Sequence, residues 1–556
     1  MKAARLPAPT PRWAPAVLAV VTTAIYAPSL ANGFTNWDDP KYVESSPFAT
    51  RGIAGVPLAF VSAHEDAYYP LTHSVHALTY AAFGDSPLAH HAVEVAVFAL
   101  AVALLPAALA AFGVPASVGF WTALVWAAHP MRVESVSWIA NLKDPLALLG
   151  IVLSFALYAR GRRASSAIAF TAALLAKSMF FPVAGLFLFL EAKRTGERGI
   201  GAVVAARHWL VPALLLAALG GLLHVIPSEA AGRTQPGGSL VHAIPSAVWA
   251  PWWYLGRTIG LAHPQAVYAF EPPGWSDPRF LAACAAWSAT FAWALTRGSD
   301  ARWRWCVGLG AWLLPYLPVT GLVPLVYPLA DRYSFVPSIA ISFAAVTALA
   351  ATARRLAAAV PATLLGLVVA AQATAGVPRQ LEWKSAVTLW EADRSRNPES
   401  WTVRFNLAGA YGEAGRWDDA LEEVRVAQTL RPRRSMLDWF VLGELAKAGA
   451  PTDWAVAVQM RVRESLGDPA ALRGVAAELL RSSQPKAARV VVDSVLAQWE
   501  EDAGARYLSA LCAAVDGDPA ASLESVRRSI ELDPEHVGAR LLLEVARQAA
   551  KGDLED

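Results

Sequence analysis

Long apolar stretches alternate with short polar loops through the first two thirds of the chain. A helix needs about 20 apolar residues to cross the hydrocarbon core of a bilayer. The pattern therefore predicts an all-α, polytopic membrane domain over residues 1–378, with about eleven transmembrane helices. We expect these helices at residues 13–30, 86–112, 115–129, 144–159, 164–177, 179–192, 208–226, 278–296, 305–320, 335–352 and 357–377.

One further apolar segment, residues 244–261, is rich in aromatic residues and contains Trp249, Trp252 and Trp253. Tryptophan is enriched at the membrane–water interface, so we expect a re-entrant or interfacial helix here. A full crossing is the alternative. It would reverse the orientation of every later segment.

Beyond residue 378 the apolar stretches stop, and the spacing of small and apolar residues becomes typical of tetratricopeptide repeats. The first unit has Leu407, Ala408, Tyr411, Gly415, Ala420, Ala427 and Pro432, and the second has Gly517, Ser522, Val526, Ser529 and Pro534. Residues 379–556 are therefore predicted to form a soluble α-solenoid. Stacked helix pairs present a concave surface suited to an extended peptide, and a purely scaffolding role is the alternative.

Composition agrees with a membrane protein, since 55% of the 556 residues are hydrophobic and only 17% are charged. The net charge of +2 is too small to indicate a nucleic-acid partner. Cys284, Cys306 and Cys512 are isolated along the chain, so we expect neither a disulfide framework nor a thiolate metal site.

The basic residues predict the orientation, because short cytoplasmic loops carry an excess of lysine and arginine. The first apolar stretch follows basic residues as in a signal peptide, but its length and poor cleavage site favour an uncleaved helix. With the helices above, the basic groups all fall on the side of the N-terminus, which we expect to be cytoplasmic. These groups are Lys2, Arg5 and Arg12; Arg160, Arg162 and Arg163; Lys193, Arg194 and Arg198; Arg297, Arg302 and Arg304; and Arg354 and Arg355.

Three polar clusters fall on the opposite face, which the C-terminal repeats are predicted to share. They are Trp37-Asp38-Asp39, the segment 129–138, and Asp331-Arg332-Tyr333. Ionisable groups beside lipid are costly and usually functional. The arrangement indicates an active site outside the cytoplasm.

The order of these motifs resembles the multispanning GT-C glycosyltransferases that carry C-terminal tetratricopeptide repeats, particularly their bacterial members. The eukaryotic relatives are O-mannosyltransferases of the secretory pathway. The resemblance is carried by Trp37-Asp38-Asp39, Tyr69-Pro70-Leu71-Thr72, His76, His90-His91, His129-Pro130-Met131-Arg132-Val133-Glu134-Ser135-Val136, Lys143-Asp144, Ala176-Lys177, Ala330-Asp331-Arg332-Tyr333 and the segment 383–390.

The resemblance implies transfer of a sugar, with mannose expected, from a polyprenyl phosphate to a protein Ser or Thr hydroxyl. The acceptor hydroxyl must lose a proton during attack, and a carboxylate can take it. Asp38 is predicted to be this general base, with Asp39 orienting it or raising its basicity. The alternative is a helix N-cap, because Asp39 precedes Pro40.

The departing phosphate gains negative charge, which a guanidinium can match. Arg332 is the predicted phosphate ligand, with Lys177 as a second cation and with Arg132 and His129 holding sugar or phosphate from the side. Arg332 could instead pair only with Asp331, and Lys177 could extend to the interface.

Glu134 and Asp331 complete the predicted donor site. Glu134 is expected to bind sugar hydroxyls or to neutralise Arg132. We expect no cofactor other than the lipid-linked sugar substrate. His73, His76, His90 and His91 offer a metal site only as a weaker alternative, since adjacent histidines point to different helix faces.

The resulting hypothesis is an integral membrane glycosyltransferase, expected in the bacterial inner membrane with its repeats in the periplasm. Its partners would be the lipid donor, membrane lipid and a protein acceptor held by the repeats. The alternatives are a catalytically silent scaffold that recruits a protein partner, and transfer to a lipid or polysaccharide.

Overall fold

A computed structural model describes residues 12–63, 68–197, 199–230, 235–260, 263–352, 359–430, 469–481 and 485–550. Regular structure in these ranges is helical, and no strand occurs among them. Packing divides the chain into two compact units, Met1–Leu389 and Trp390–Asp556. The predicted domain boundary at residue 378 falls inside a helix that continues to Glu382.

The described ranges of the first unit contain fifteen α-helices that lie wholly in that unit. They are α1 Ala14–Tyr26, α2 Gly55–Val61, α3 Pro70–Phe83, α4 Pro87–Leu109, α5 Ala116–Ala127, α6 Val133–Ser137, α7 Lys143–Ala159, α8 Arg163–Ala176, α9 Gly185–Thr195, α10 Ile200–Ala230, α11 Leu240–Ile259, α12 Pro278–Leu295, α13 Ser299–Leu313, α14 Ser338–Thr352 and α15 Ala359–Glu382. The closest packing joins α4 to α7 and α7 to α8.

Five helical segments of the described chain are long and apolar enough to cross a membrane, fewer than the eleven or so expected. They are Ala14–Ala31, Pro87–Phe112, Ile139–Ala159, Ile200–Leu223 and Ala359–Glu382.

Several other predicted crossings form shorter apolar helices, including α5, α8 and α14. The expected crossing at 179–192 is divided, because a 3₁₀ turn with Pro182 inside it occupies Ser178–Ala184 before α9 begins. The apolar pattern thus predicted where the hydrophobic segments lie, but it did not predict which of them form long, uninterrupted helices.

Residues 244–259 of the predicted aromatic segment 244–261 lie in α11, which is not among the five long apolar segments. Its Tyr254 is buried in a cluster that includes Tyr316, Leu329 and Tyr333. The Tyr254 hydroxyl accepts a hydrogen bond of 3.2 Å from the Ala330 N–H. This helix therefore supports the loop that carries Asp331 and Arg332.

The segment between α5 and α7 folds into short helical turns instead of extending as a loop. Turns at Pro130–Arg132 and Ile139–Asn141 flank α6. Pro130 occupies the first turn, where its fixed φ and missing N–H suit a helix start. Every residue from 129 to 145 is buried, so the polar side chains of this segment face protein.

The second unit begins within α16 (Ala386–Arg396), and its described residues form seven further helices. They are α17 Trp401–Glu413, α18 Trp417–Leu430, α19 Pro469–Arg481, α20 Pro485–Gln498, α21 Ala503–Val515, α22 Pro519–Leu532 and α23 Val537–Ala550. Gly415 and Gly517 lie in the turns between paired helices with φ of 72° and 76°, a left-handed conformation that glycine adopts without strain.

Packing in these pairs uses the small residues that the repeat spacing singled out. The Ser522 hydroxyl donates to the Ala510 carbonyl at 2.9 Å, and Ala510 packs with Val526 and Ala539 in one core. The structure therefore has the helix-pair architecture expected for residues 401–430 and 503–532. Pro432 lies outside the described residues.

Candidate functional site

The two adjacent acids of the first cluster have different surroundings. Asp39 is buried, and its Oδ2 accepts hydrogen bonds from the Thr35 N–H at 2.8 Å and the Thr35 hydroxyl at 2.9 Å. Its Oδ1 accepts from the Ala140 N–H at 2.8 Å. Asp38 is partly exposed, and its carboxylate accepts no hydrogen bond from a described residue.

Asp39 is thus a structural link between the start of the first loop and the turn at Ile139–Asn141. Burial raises the pKa of Asp39 to about 7, although the N–H groups of Thr35 and Ala140 oppose this by stabilising the carboxylate. All three donors are directed at one side chain. Asp38 is left as the carboxylate able to meet a substrate.

Glu134 holds Arg332 at two points. Its Oε1 pairs with the Arg332 guanidinium, and its Oε2 accepts from the Arg332 backbone N–H at 3.1 Å. Burial is the largest influence on the pKa of Arg332 and acts to lower it, but the Glu134 carboxylate together with Tyr333 and Tyr327 makes the net shift upward. Arg332 therefore pairs with Glu134, and not with Asp331 as one alternative had it.

Aromatic rings surround the Arg332 guanidinium. Its Cζ lies 5.6 Å from the ring centroids of Trp37, Trp138 and Tyr327 and 5.2 Å from that of Tyr333. Trp37 and Trp138 stack with centroids 4.5 Å apart. The rings favour a cation at this position.

Asp144 and Lys177 form a second buried pair. Lys177 Nζ lies 2.5 Å from Asp144 Oδ1, and the Asn141 amide donates to Asp144 Oδ2 at 2.8 Å. Lys177 is only 3% exposed. Lys177 directly follows α8, and its ammonium group faces protein and not the outside of the molecule.

Lys143 is a third cation, which the sequence-based site had omitted. Its Nζ donates to the Tyr42 hydroxyl at 3.1 Å and to the Ala140 carbonyl at 3.0 Å. No carboxylate of a described residue lies within ion-pair distance of it. Asp38 is the carboxylate that attracts it most strongly. A lysine directly before an apolar stretch, in Lys143-Asp144, was the signal that could have identified it.

His129 contacts protein groups through both ring nitrogens. Nε2 lies 2.8 Å from the Thr258 carbonyl, and Nδ1 accepts from the Met131 N–H at 3.2 Å. His129 thus caps the turn that follows it and joins this turn to α11. In the described structure, these contacts leave neither nitrogen available to a sugar.

Arg132 is fully buried and binds the turn that follows Arg332. Its guanidinium donates to the Ser334 and Phe335 carbonyls at 2.9 and 2.8 Å, and to the Ser334 and Ser338 hydroxyls at 2.8 Å each. These contacts fix the Arg332 loop, and the predicted contact of Arg132 with the donor stays a prediction.

Asp331 also serves the loop. Its Oδ1 accepts from the Tyr268 hydroxyl at 2.6 Å, and its Oδ2 accepts from the Gln265 N–H at 3.1 Å. Burial, followed by repulsion from Glu134, raises the pKa of Asp331 to about 7. It turns away from the guanidinium of its neighbour Arg332.

The histidines of α3 and α4 are buried together. His76 Nδ1 and His90 Nδ1 are 3.4 Å apart, and the His73 ring stacks on Tyr42 with centroids 5.0 Å apart. Among the described residues, no group of three or more His, Cys, Asp or Glu side chains has the geometry of a metal site.

The tertiary structure thus brings Asp38, Lys143, Lys177, Glu134 and Arg332 into one electrostatic cluster. Lys143 is attracted by Asp38 and Asp144 and repelled by Arg332, and Lys177 is repelled by Lys143 and Arg332. Such a site can hold an anion at its cations and accept a proton at Asp38. His129, Arg132 and Asp331 lie outside it as supports.

An apolar cavity of about 450 Å³ lies between α4, α5, α7, α13 and α14. Its wall includes Leu148 and Ile151, which follow Lys143 on α7, and Val336 and Ile339, which follow Arg332. The same two segments therefore carry site cations at one end and line the cavity further along.

Comparisons with known proteins give no relative that identifies the chain. No protein-family model matches it, and no curated protein matches it. Among solved structures, the chain is similar to the crystal structure of the P58(IPK) TPR domain, with 12% identity over 74% of this chain and 99% of that one. The TM-score is 0.17, which is too low to carry an argument about fold or function.

Proposed function

We propose that this protein is a membrane glycosyltransferase that moves a sugar, with mannose favoured, from a polyprenyl phosphate to a Ser or Thr hydroxyl of a protein. The reaction would occur on the non-cytoplasmic face of a bacterial inner membrane. The second unit would be a tetratricopeptide-repeat array that presents the acceptor. The motif resemblance supplies the substrate class.

The observation that carries the proposal is the contrast between the two adjacent acids. Asp39 is held by three hydrogen-bond donors, whereas the Asp38 carboxylate accepts no hydrogen bond from the described part of the chain and lies beside a cluster of cations. A general base must be free to contact its substrate, and a departing phosphate needs positive charge. Both requirements have candidate residues within one cluster.

The chemistry can be written with these residues alone. The acceptor oxygen attacks the anomeric carbon on the face opposite the phosphate, forming a carbon–oxygen bond as the bond to the phosphate oxygen breaks. The bonding electrons leave with the phosphate, whose added charge the cations stabilise. The hydroxyl proton passes to Asp38. Attack from the opposite face inverts the anomeric centre.

The apolar cavity supports a lipid-linked donor. A polyprenyl tail needs an apolar site near the phosphate-binding groups, and α7 supplies both Lys143 and part of the cavity wall. The five long apolar helical segments are compatible with a protein placed in the membrane that contains this lipid.

A catalytically silent scaffold is the second candidate, and one observation favours it. Arg332 and Lys177 each already pair with a carboxylate, as structural ion pairs do. In that case the first unit would be an anchor, and the helix pairs would recruit a protein partner.

A transfer assay with radiolabelled polyprenyl phosphate sugars decides between these functions. We expect transfer by the purified protein, and Asp38→Asn should slow it about 10²- to 10⁴-fold, the usual contribution of a general base. Asp277→Asn is a matched control, because Asp277 pairs with Arg279 at a helix start far along the chain. Transfer to oligosaccharide or lipid instead of peptide would select another acceptor class. No transfer from any such donor would favour the scaffold.

A further inference from the structure

We infer that Lys143 is the residue that binds the phosphate group of the donor lipid, with the Tyr69 hydroxyl as a second ligand. The motif pattern had assigned this role to Arg332 and Lys177. The inference rests on the proposed function for the identity of the ligand, but its test measures binding and not transfer.

The first argument is the difference in ion pairing among the three cations. The guanidinium of Arg332 is paired with Glu134, and the ammonium of Lys177 is paired with Asp144. Lys143 forms no ion pair with a described carboxylate, although it is only 9% exposed. An ion removed from water without a counter-ion is costly. An anionic ligand would remove that cost.

The second argument is the hydrogen-bonding capacity of Lys143. An ammonium group has three N–H donors. The Tyr42 hydroxyl and the Ala140 carbonyl accept two of them. One donor is left for a ligand, and the two protein contacts fix its direction.

The third argument is the aromatic wall that stabilises the charge before a ligand arrives. Lys143 Nζ lies 4.2 Å from the ring centroid of Tyr42, 5.6 Å from that of Trp138 and 5.9 Å from that of Tyr69. Cation–π attraction partly replaces the lost hydration. Cation–π attraction does not neutralise the ammonium charge of Lys143, so an anionic ligand would still be stabilised beside it.

Tyr69 adds a neutral donor to the same space. Its hydroxyl makes no hydrogen bond with a described residue, and its electrostatic neighbours include Asp144, Tyr333 and Arg332. Burial raises the pKa of Tyr69 above its ordinary value, so the phenol keeps its proton at neutral pH. A protonated phenol can donate to a phosphate oxygen.

Lys143 could act instead by positioning or polarising Asp38, its strongest attracting neighbour. The two roles predict different measurements. If Lys143 binds the phosphate, it determines the affinity of the protein for a lipid phosphate even when no acceptor is present. A residue acting on Asp38 would leave that affinity unchanged and would shift the acid limb of the pH profile for transfer.

The experiment measures the Kd of purified full-length protein for farnesyl phosphate and for farnesol, which has no phosphate. Lys143→Met should weaken farnesyl phosphate binding about 10- to 100-fold, the usual value of a charged hydrogen bond. Tyr69→Phe should weaken it about 2- to 10-fold, as for a neutral hydrogen bond. Farnesol binding should be unchanged in both variants.

Lys486→Met provides a matched control, because Lys486 is an exposed lysine of α20 in the second unit. Lys143→Arg keeps the charge and should retain most of the affinity for farnesyl phosphate, which separates loss of charge from loss of folding. Equal farnesyl phosphate affinity in wild type and Lys143→Met would overturn the inference. So would equal weakening for farnesol.

The outcomes separate this inference from the proposed function. A wild-type protein that binds farnesyl phosphate through Lys143 but transfers no sugar would refute the glycosyltransferase and leave the phosphate site in place. A protein that transfers sugar while Lys143→Met binds farnesyl phosphate normally would do the reverse.

Discussion

The different surroundings of Asp38 and Asp39 predict that substitution by asparagine lowers the stability of the protein at Asp39 but not at Asp38. Asp39→Asn should destabilise the first unit, because an amide offers one oxygen to three donors. If that oxygen faces Thr35, it keeps the contacts of 2.8 and 2.9 Å. The amide nitrogen then faces the Ala140 N–H, whose present acceptor is 2.8 Å away.

This orientation loses one hydrogen bond to a charged group and leaves a buried N–H without an acceptor. The opposite orientation turns the amide nitrogen toward two donors and is worse. The expected loss is about 2–3 kcal/mol of stability. The measurement belongs at pH 8, where Asp39 is ionised because burial raises its pKa only to about 7.

Thermal unfolding of the protein in lipid nanodiscs, followed by tryptophan fluorescence, provides the assay. The apparent Tm of Asp39→Asn should fall by about 2–4 °C. Asp38→Asn is the control, since its carboxylate has no hydrogen-bond partner to lose, and its Tm should match wild type. An Asp39→Asn protein as stable as wild type would refute the structural role that the contacts give to Asp39.

Three further predictions test the site, the orientation and the repeats. Arg332→Ala should slow transfer to every acceptor, including a short peptide, by about 10²-fold or more if Arg332 stabilises the leaving phosphate; a defect limited to large acceptors would contradict this. A cysteine at exposed Ala520, in a Cys306→Ser background, should react with an impermeant maleimide from the non-cytoplasmic side, and labelling only from the cytoplasmic side would reverse the predicted orientation. Truncation after Ser400 should reduce transfer to a folded protein while transfer to a short peptide persists, and equal loss for both acceptors would mean that the repeats support the first unit instead of selecting substrates.

These contacts distinguish the residues that support the loops of the site from Lys143 and Arg332. Asp39 accepts from the Ala140 N–H of the loop at Ile139–Asn141, and Arg132 donates to the Ser334 carbonyl of the loop at Asp331–Ser334. His129 contacts the Thr258 carbonyl of α11, and Asp331 accepts from the Gln265 N–H. Their substitution is expected to disturb Lys143 and Arg332 indirectly. A loss of activity in such a variant therefore needs a stability measurement beside it before a chemical role is assigned.

Breaking the buried Glu134–Arg332 pair should also destabilise the protein. Removing one partner of a buried pair leaves an uncompensated charge, which commonly costs about 3–5 kcal/mol. Glu134 is fully buried, whereas Arg332 keeps a side-chain exposure of 10%. Glu134 is thus a positioning residue for Arg332, and its predicted contact with sugar hydroxyls stays a prediction.

The sequence alone determined where helices and polar clusters occur. Apolar content over a helix-length window depends on composition and local periodicity, so the predicted segment 208–226 lies within α10, and the described part of 357–377 lies within α15. The small residues Ala408, Ala420 and Ser522 likewise predicted helix pairs. Breaks inside apolar segments were harder to predict, because a 3₁₀ turn such as Ser178–Ala184 keeps the same hydrophobic composition as a helix.

Only the tertiary structure decided what each polar residue contacts. Glu134 and Arg332 are 198 positions apart, and Asp39 and Ala140 are 101 apart, so no local spacing could pair them. Adjacent residues in one motif acquired different roles for the same reason: the Asp39 carboxylate accepts from three donors, whereas no donor within the described ranges reaches the Asp38 carboxylate. Lys143 and Lys177 look alike in the sequence, but only Lys177 comes within 2.5 Å of Asp144. Hydrophobicity is a property of a segment and follows from its sequence. Whether a charged side chain can bind a ligand depends on which residues, distant in the sequence, contact it in the folded protein.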